Sequence, residues 1–456
     1  MKKHFLVATV IITAMATMDA AEWRLLLPRM TFTMRVNPHD SQKLVVGGWS
    51  NQLYKSADGG KTWVTKEVGS LSSGNSLTSV IISSKDTSVI VCAGFLFSGI
   101  KRSSDGGDTW EQVLIDTSLR RMWFISEALL EDAKDPNIMY AGRSSVFNSV
   151  WKSTNSGATW DSIGVISTDY TGRICTIAQR YDSTNILFAG CKGGQIIRSD
   201  DGGVTWAPTL VNDQKDTIRP DSEIPKIVFS LRDPQVGYAI VAIADYLAIP
   251  GNGGVLKTTD GGASWNHVAF VDTSFWAVDS RPLPSGTDDE VFIGGFRISN
   301  IPTTVKGDSL IYRSGDGGST WERYESIPWG LNEIQDSLRN AWAIRCDTLT
   351  DKVYMATEVG LYVLDDETSV NEEATIASDG LSVTSTADAL VIHDTKPSPL
   401  DKVWAIYAMD GTRLSTGAID QQAAQAIPIG ALPSGRYLLT WGSDAMIRTA
   451  LFTIIR

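Results

Sequence analysis

Short apolar runs alternate with polar turns through most of the chain. Leu53-Tyr54-Lys55, Val255-Leu256-Lys257 and Ile311-Tyr312-Arg313 each lead directly into an octapeptide of the form Ser/Thr-x-Asp-x-Gly-x-Ser/Thr-Trp. Six copies occur: Ser56 to Trp63, Ser103 to Trp110, Ser153 to Trp160, Ser199 to Trp206, Thr258 to Trp265 and Ser314 to Trp321. The acidic position is held by Asp58, Asp105, Asp201, Asp260 and Asp316, and by Asn155 in the third copy. Asp-Gly-Gly is turn chemistry: the side-chain oxygens accept backbone N–H groups, and glycine takes positive φ at little steric cost. Apolar residues on both sides make each copy the tip of a β-hairpin, with the Trp opening the second strand and filling the space between sheets.

The spacing sets the architecture. The third residue of each copy falls at 58, 105, 155, 201, 260 and 316, so the interval runs from 46 to 59 residues. Four short strands per repeat of that size predict the blades of an all-β propeller. Second strands are visible at Val89 to Cys92, Ile138 to Tyr140, Ile186 to Phe188, Tyr238 to Ile243 and Val291 to Ile293. A seventh repeat lacks the octapeptide: Trp342 to Arg345, Val353 to Ala356 and Leu361 to Leu364 supply three strands. The spare run Trp23 to Leu27, which begins with a Trp, is expected to supply the fourth and close the ring. An open edge there would be an aggregation site.

The octapeptide resembles the Asp box, or BNR repeat, of sialidases, xyloglucan-cleaving glycosidases, the sortilin ectodomain and photosystem II assembly factors. That resemblance implies a seven-bladed propeller in which Asp58, Trp63, Asp105, Trp110, Asn155, Trp160, Asp201, Trp206, Asp260, Trp265, Asp316 and Trp321 are structural. It also places the octapeptides at the rim, on the face away from a ligand. The early Phe/Tyr-Arg-Ile-Pro string of sialidases is not matched; Phe296-Arg297-Ile298-Ser299 lacks the Pro and lies late.

The ends of the chain read differently. Residues 1–21, with Lys2 and Lys3 ahead of a short apolar run from Phe5 to Ile12, have the form of a secretory signal peptide. No later run is long and apolar enough to span a bilayer. The propeller is expected over 22–365 and an acidic linker over 366–378. Closely spaced strands over 379–456 predict a small Ig-like β-sandwich. There, Ile406 to Leu414, Ile427 to Leu438 and Phe452 to Arg456 are similar to the type A C-terminal sorting domain of the type IX secretion system. This resemblance implies the secretion machinery as partner, and a secreted protein or one on the outer-membrane surface of a Gram-negative bacterium. The family's early Asn-Pro is replaced by Lys396-Pro397-Ser398-Pro399.

In a propeller the D-to-A and B-to-C connections share one face, and long loops on a rigid scaffold concentrate function. The expected ligand-binding residues on that face are Trp49, Trp123, Arg143, Tyr170, Arg173, Tyr246, Trp276, Arg297 and Trp329. Phe95, Phe97 and Phe296 lie on or near the same connections, as do Arg121, Lys192, Arg219 and Arg281. Aromatic planes can stack on sugars or anchor a peptide, and basic groups can hold a carboxylate or sulfate. Hydrolysis of a glycosidic bond needs two carboxyl groups; Asp221, Glu223 and Asp245 are the candidates, and no catalytic residue is assigned among them.

Charge and composition narrow the classes. A net charge of −12 excludes a nucleic-acid reader, which needs a basic face. With four His, one of them in the leader, a His-rich metal site is not expected, and neither a metal nor a cofactor is assigned. Four Cys do not make a disulfide framework, although Cys175 and Cys191 stand almost opposite in one hairpin. They are read either as a cross-strand disulfide or as two buried thiols. The expected molecule is a monomer. Its first functional reading is a non-catalytic module binding glycan or protein, the alternatives being an extracellular glycoside hydrolase and an assembly scaffold.

Overall fold

In the computed structural model the described residues are 23–69, 76–95, 99–115, 126–143, 149–166, 173–212, 218, 222–243, 253–271, 273–283, 288–296, 310–323 and 340–364, together with strands between 381 and 454. The chain divides into two units, Met1–Asp365 and Asp366–Arg456.

The first unit is a seven-bladed β-propeller. Blade one comprises strands A to D at Thr31–Asn37, Asp40–Gly48, Gln52–Ser56 and Val64–Glu67. Blade two holds Ser76–Ile82, Ile90–Phe95, Gly99–Ser103 and Glu111–Ile115, and blade three Leu129–Glu131, Met139–Arg143, Ser149–Ser153 and Asp161–Val165. Blade four holds Ile174–Gln179, Leu187–Cys191, Ile196–Ser199 and Ala207–Pro208. Blade five holds Ser222–Phe229, Gly237–Ile243, Gly254–Thr258 and Ser264–Ala269, with Leu210–Asn212 added parallel to its strand D. Blade six holds Phe275–Pro282, Asp289–Gly295, Ile311–Ser314 and Glu322–Arg323.

Blade seven is built from both ends of the unit. Ala341–Cys346, Val353–Thr357 and Leu361–Leu364 are its strands A to C, and Trp23–Leu27 pairs antiparallel with the last of these. Trp23 is fully buried, and the pairing covers the edge that Leu361–Leu364 would otherwise leave open.

Each octapeptide is a closed hydrogen-bonded turn. In the first, the Ser56 hydroxyl donates to Asp58 Oδ1 at 2.7 Å and accepts the Gly60 N–H at 2.8 Å. The Thr62 N–H and hydroxyl donate to the two Asp58 oxygens at 2.9 and 2.6 Å. The same set recurs at Asp105, Asp201, Asp260 and Asp316. These bonds lower the pKa values of Asp58, Asp201 and Asp316 to about 2, the Thr hydroxyl being the main cause. In the third copy the polarity reverses, because the Asn155 amide donates to Thr159 Oγ1 at 2.9 Å. One expectation is corrected: in five of the six copies the Trp stands one residue ahead of strand D, and only Trp265 lies inside it.

The blades pack through strand faces that are apolar on both sides, as strands sandwiched between sheets must be. Trp265 is fully buried against Phe188 and Phe229, with centroids at 6.3 and 6.0 Å, which joins blade five to blade four. A second device is a glycine near the end of strand B. A Cβ on Gly190 would stand 2.4 Å from the Ile224 carbonyl oxygen, and one on Gly294 2.4 Å from Ala341 Cβ. These glycines let strand A of the next blade come into contact.

The second unit contains a three-stranded sheet, Leu381–Ser385, Ala389–Asp394 and Ala424–Pro428. A four-stranded sheet is ordered Arg413–Ile419, Lys402–Ala408, Gly435–Ser443 and Met446–Ile454. All pairings are antiparallel.

Candidate functional site

The loop face is shaped by a repeated irregularity. Strand A carries a register shift near its start in blades one, two, four, six and seven, at Thr31/Thr33, Leu77/Ser79, Ile174/Thr176, Phe275/Ala277 and Ala341/Ala343. A β-bulge leaves one residue unpaired and re-aims its side chain. The bulged residues are Phe32, Thr78, Cys175, Trp276 and Trp342, so three consecutive blades, six, seven and one, present an aromatic ring there.

Those rings form a continuous array. Trp342 lies 5.4 Å from Phe32, 5.6 Å from Trp276 and 5.6 Å from Phe296, centroid to centroid. Trp276 stacks on Phe296 at 4.6 Å, and Phe32 lies 6.2 Å from Trp49. Phe32, Trp276 and Phe296 are buried and Trp342 is half-buried, whereas Trp49 is 46% exposed. Trp49 follows strand B of blade one, and its backbone bridges to Ser76 of blade two. Trp49 is therefore a fixed, exposed ring at the end of a buried aromatic support.

A carboxyl group is tied to the segment that carries Trp342. Glu358 lies between strands B and C of blade seven, and both its oxygens accept the N–H of Asn340, at 2.9 and 2.7 Å. Asn340 is two residues ahead of Trp342. Burial raises the Glu358 carboxyl to about 7.

On blades four and five the face is charged. Arg173 Nη2 donates to Glu223 Oε1 at 2.6 Å, with the Glu223 side chain buried. The Lys192 N–H donates to the Arg173 carbonyl at 2.9 Å, and Lys192 forms an isolated bridge with Glu223. Burial raises the pKa of Glu223 against the pull of Arg173 and Lys192. Arg143 follows Gly142, whose position is packed on Ile174, the neighbour of Arg173.

The sequence-derived candidates thus fall into groups. Trp49, Trp276 and Phe296 meet in one array, and Arg173 and Glu223 in one ion pair. Asp221, Asp245, Trp123, Tyr170, Tyr246, Arg297 and Trp329 lie outside the described residues, as do Arg121, Arg219 and Phe97. Arg281 is corrected: it ends strand A of blade six and binds Glu290 of strand B at 2.5 Å, on the opposite face. Cys175 and Cys191 are free, buried thiols. The bulge takes Cys175 out of register, so Cys191 faces Ile174 instead. Phe32, Trp342 and Glu358 were missed. The signal for the two rings was a shared position, Thr31-Phe32-Thr33, Phe275-Trp276-Ala277 and Ala341-Trp342-Ala343, at the start of three A strands.

No family model matches the chain. A xyloglucanase of Paenibacillus sp is 27% identical over 261 residues, which is 49% of this chain and 23% of that protein. The xyloglucanase Xgh74A of Acetivibrio thermocellus is 26% identical over 270 residues, 51% of this chain and 29% of that protein. The chain thus spans about a quarter of the length of these curated relatives. Among solved structures, an ancestral GH74 enzyme matches with a TM-score of 0.58 at 15% identity, covering 95% of this chain and 63% of that one. The GH74 enzyme of Niastella koreensis matches at 0.53 and 17%, covering 94% and 73%. YCF48 from Cyanidioschyzon merolae matches at 0.52 and 16%, covering 76% of this chain and all of that one. These likenesses concern the fold: a seven-bladed propeller resembling GH74 xyloglucanases and YCF48.

Proposed function

We propose that the protein is an extracellular glycoside hydrolase whose propeller receives a polysaccharide chain across the loop face of blades six, seven and one. The observation that carries this reading is the aromatic array ending in exposed Trp49. A rigid ring with one open face suits the apolar face of a pyranose. The partial similarity to xyloglucanases supports a β-glucan as the class of chain.

Hydrolysis of a glycosidic bond pairs a protonated carboxyl with an ionised one. Glu358, with a pKa raised by burial to about 7 and a hydrogen bond to Asn340, two residues ahead of Trp342, meets the first requirement: it keeps its proton below about pH 7. The second carboxylate would come from the connections of blade five, where Asp221, Glu223 and Asp245 remain candidates. Of these, Glu223 is engaged by Arg173. The test is release of reducing ends from xyloglucan and other β-glucans by the full chain and by Glu358→Gln. Loss of product with retained binding supports the assignment; equal turnover by the variant rejects Glu358 as the acid.

One observation favours a second reading, glycan binding without cleavage. Both described carboxyl groups of this face are held, Glu223 by an arginine and Glu358 by a backbone N–H. Saturable binding to a β-glucan with no product over prolonged incubation would establish it. For export we propose residues 379–456 as the address read by type IX secretion machinery, on the strength of their sequence resemblance. A chain lacking them that still reached the cell surface would refute that.

A further inference from the structure

Four blades meet at the propeller axis through one carboxylate. Glu127, just ahead of strand A of blade three, accepts the Thr33 hydroxyl at 2.9 Å and Arg35 Nη1 at 2.5 Å, both from blade one. Its other oxygen accepts Lys226 Nζ from blade five and Arg345 Nη2 from blade seven. Blades one, three, five and seven cannot all be neighbours, so only the axis can bring these groups together. Asp279 of blade six stands 3.7 Å from Arg345 Nη1, but its oxygens already accept the N–H groups of Ser280 and Cys346.

The charges at this point do not balance. Among the described residues Arg35, Lys226 and Arg345 bring three positive charges against two negative ones, and Glu127 is the only carboxylate within hydrogen-bonding distance of them; Arg35 Nη1 also donates to the Met34 carbonyl at 2.8 Å. Arg345 Nε is buried with no acceptor among the described residues. The three cationic side chains keep 20%, 12% and 16% of their surface exposed while Glu127 keeps 4%, so the cations border open space and the carboxylate does not. Surplus buried charge is expensive unless a counter-charge is supplied.

We propose that the channel cluster is a binding site for a small monovalent anion, chloride or a carboxylate group, held by Lys226 and the guanidinium groups of Arg35 and Arg345. The anion brings the cluster to neutrality and gives acceptors to donors that Glu127 alone cannot serve. The depressed pKa of Lys226, about 8 through burial and repulsion by Arg345 and Arg35, agrees with a site that lacks negative charge when empty. This site lies on the axis and does not depend on the glycan reading of the loop face.

The test uses the full chain with chloride and acetate as probes, in a buffer otherwise free of small anions at constant ionic strength. Chlorine-35 line broadening and the thermal midpoint are followed as each anion is added. Saturable chloride broadening reversed by acetate is expected, with a rising midpoint. Lys226→Met and Lys226→Gln should bind at least tenfold more weakly while staying folded. Binding of acetate alone identifies a carboxylate ligand, and of chloride alone a halide; either supports the site. Equal binding by wild type and both variants, or no saturable response to either anion, overturns it.

Discussion

Lys226→Met should make the propeller more stable at neutral pH, although it removes a buried ion pair. The folded state holds Lys226 at about 8 against an ordinary 10.5, with burial the largest cause and the two arginines next. Holding its charge below pH 8 therefore costs about 3 kcal/mol, at about 1.4 kcal/mol per unit. Methionine fills similar volume without charge, and Glu127 keeps both Arg35 and Arg345. After the loss of one charge-assisted hydrogen bond, the expected net gain is about 1–3 kcal/mol at pH 7 in anion-free buffer. The sign of the pH dependence follows from proton counting. Between pH 8 and about 10.5 the unfolded chain binds the Lys226 proton and the folded chain does not, so wild-type stability rises with pH there. The advantage of the variant should therefore shrink toward zero across that window. Burial also raises the thiols Cys92, Cys175, Cys191 and Cys346, which weakens both proteins above about pH 9 and cancels in the difference. Urea unfolding at pH 7, 8, 9 and 10, followed by tryptophan fluorescence, reads the propeller, which holds thirteen of the fifteen Trp. A variant weaker than wild type by more than about 1 kcal/mol at pH 7 would refute the charge argument. So would a difference that stayed constant to pH 10.

Four further outcomes are expected. Trp49→Ala should weaken binding of a β-glucan by about tenfold, worth about 1.4 kcal/mol, with an unchanged melting temperature, as read by calorimetry. If Glu358 is the acid, hydrolysis should fall as pH rises through about 7, and Glu358→Gln should remove that limb of the profile. Asp58, Asp201 and Asp316 are held at about 2, so their turns support the fold above pH 4 and release that support as pH falls toward 2; acid unfolding of Asp58→Ala should lack part of this slope. Gly190→Ala should cost about 1–3 kcal/mol in urea, because its Cβ would press on the Ile224 carbonyl of the next blade.

The ring of seven blades was legible because the octapeptide measures the period and Trp23 betrays a strand without a partner of its own. The site was legible only in part. Trp49 and Phe296 could be placed by loop position, and Trp276 because it stands one residue past a connection. Phe32 and Trp342 sit inside strands, where alternation reads them as core, and the bulges that turn them are invisible to a period-2 pattern. The same bulge undid the apparent opposition of Cys175 and Cys191. Glu127 left no trace at all: its partners lie 92, 99 and 218 residues away, and no local pattern marks residues that meet only across a closed ring.

Closure by Trp23–Leu27 has a kinetic consequence. Leu25 faces Tyr362, so the pairing joins the first described strand to the last of the propeller. Loop-closure entropy makes such a contact about 3 kcal/mol harder to form than a ten-residue hairpin, and it cannot form before residue 364 has left the ribosome. Until then blade seven lacks its fourth strand, and the nascent chain carries an incomplete, openable ring. For the export proposed above that delay has a use, since the step that locks the structure is the one that requires the whole propeller to have arrived.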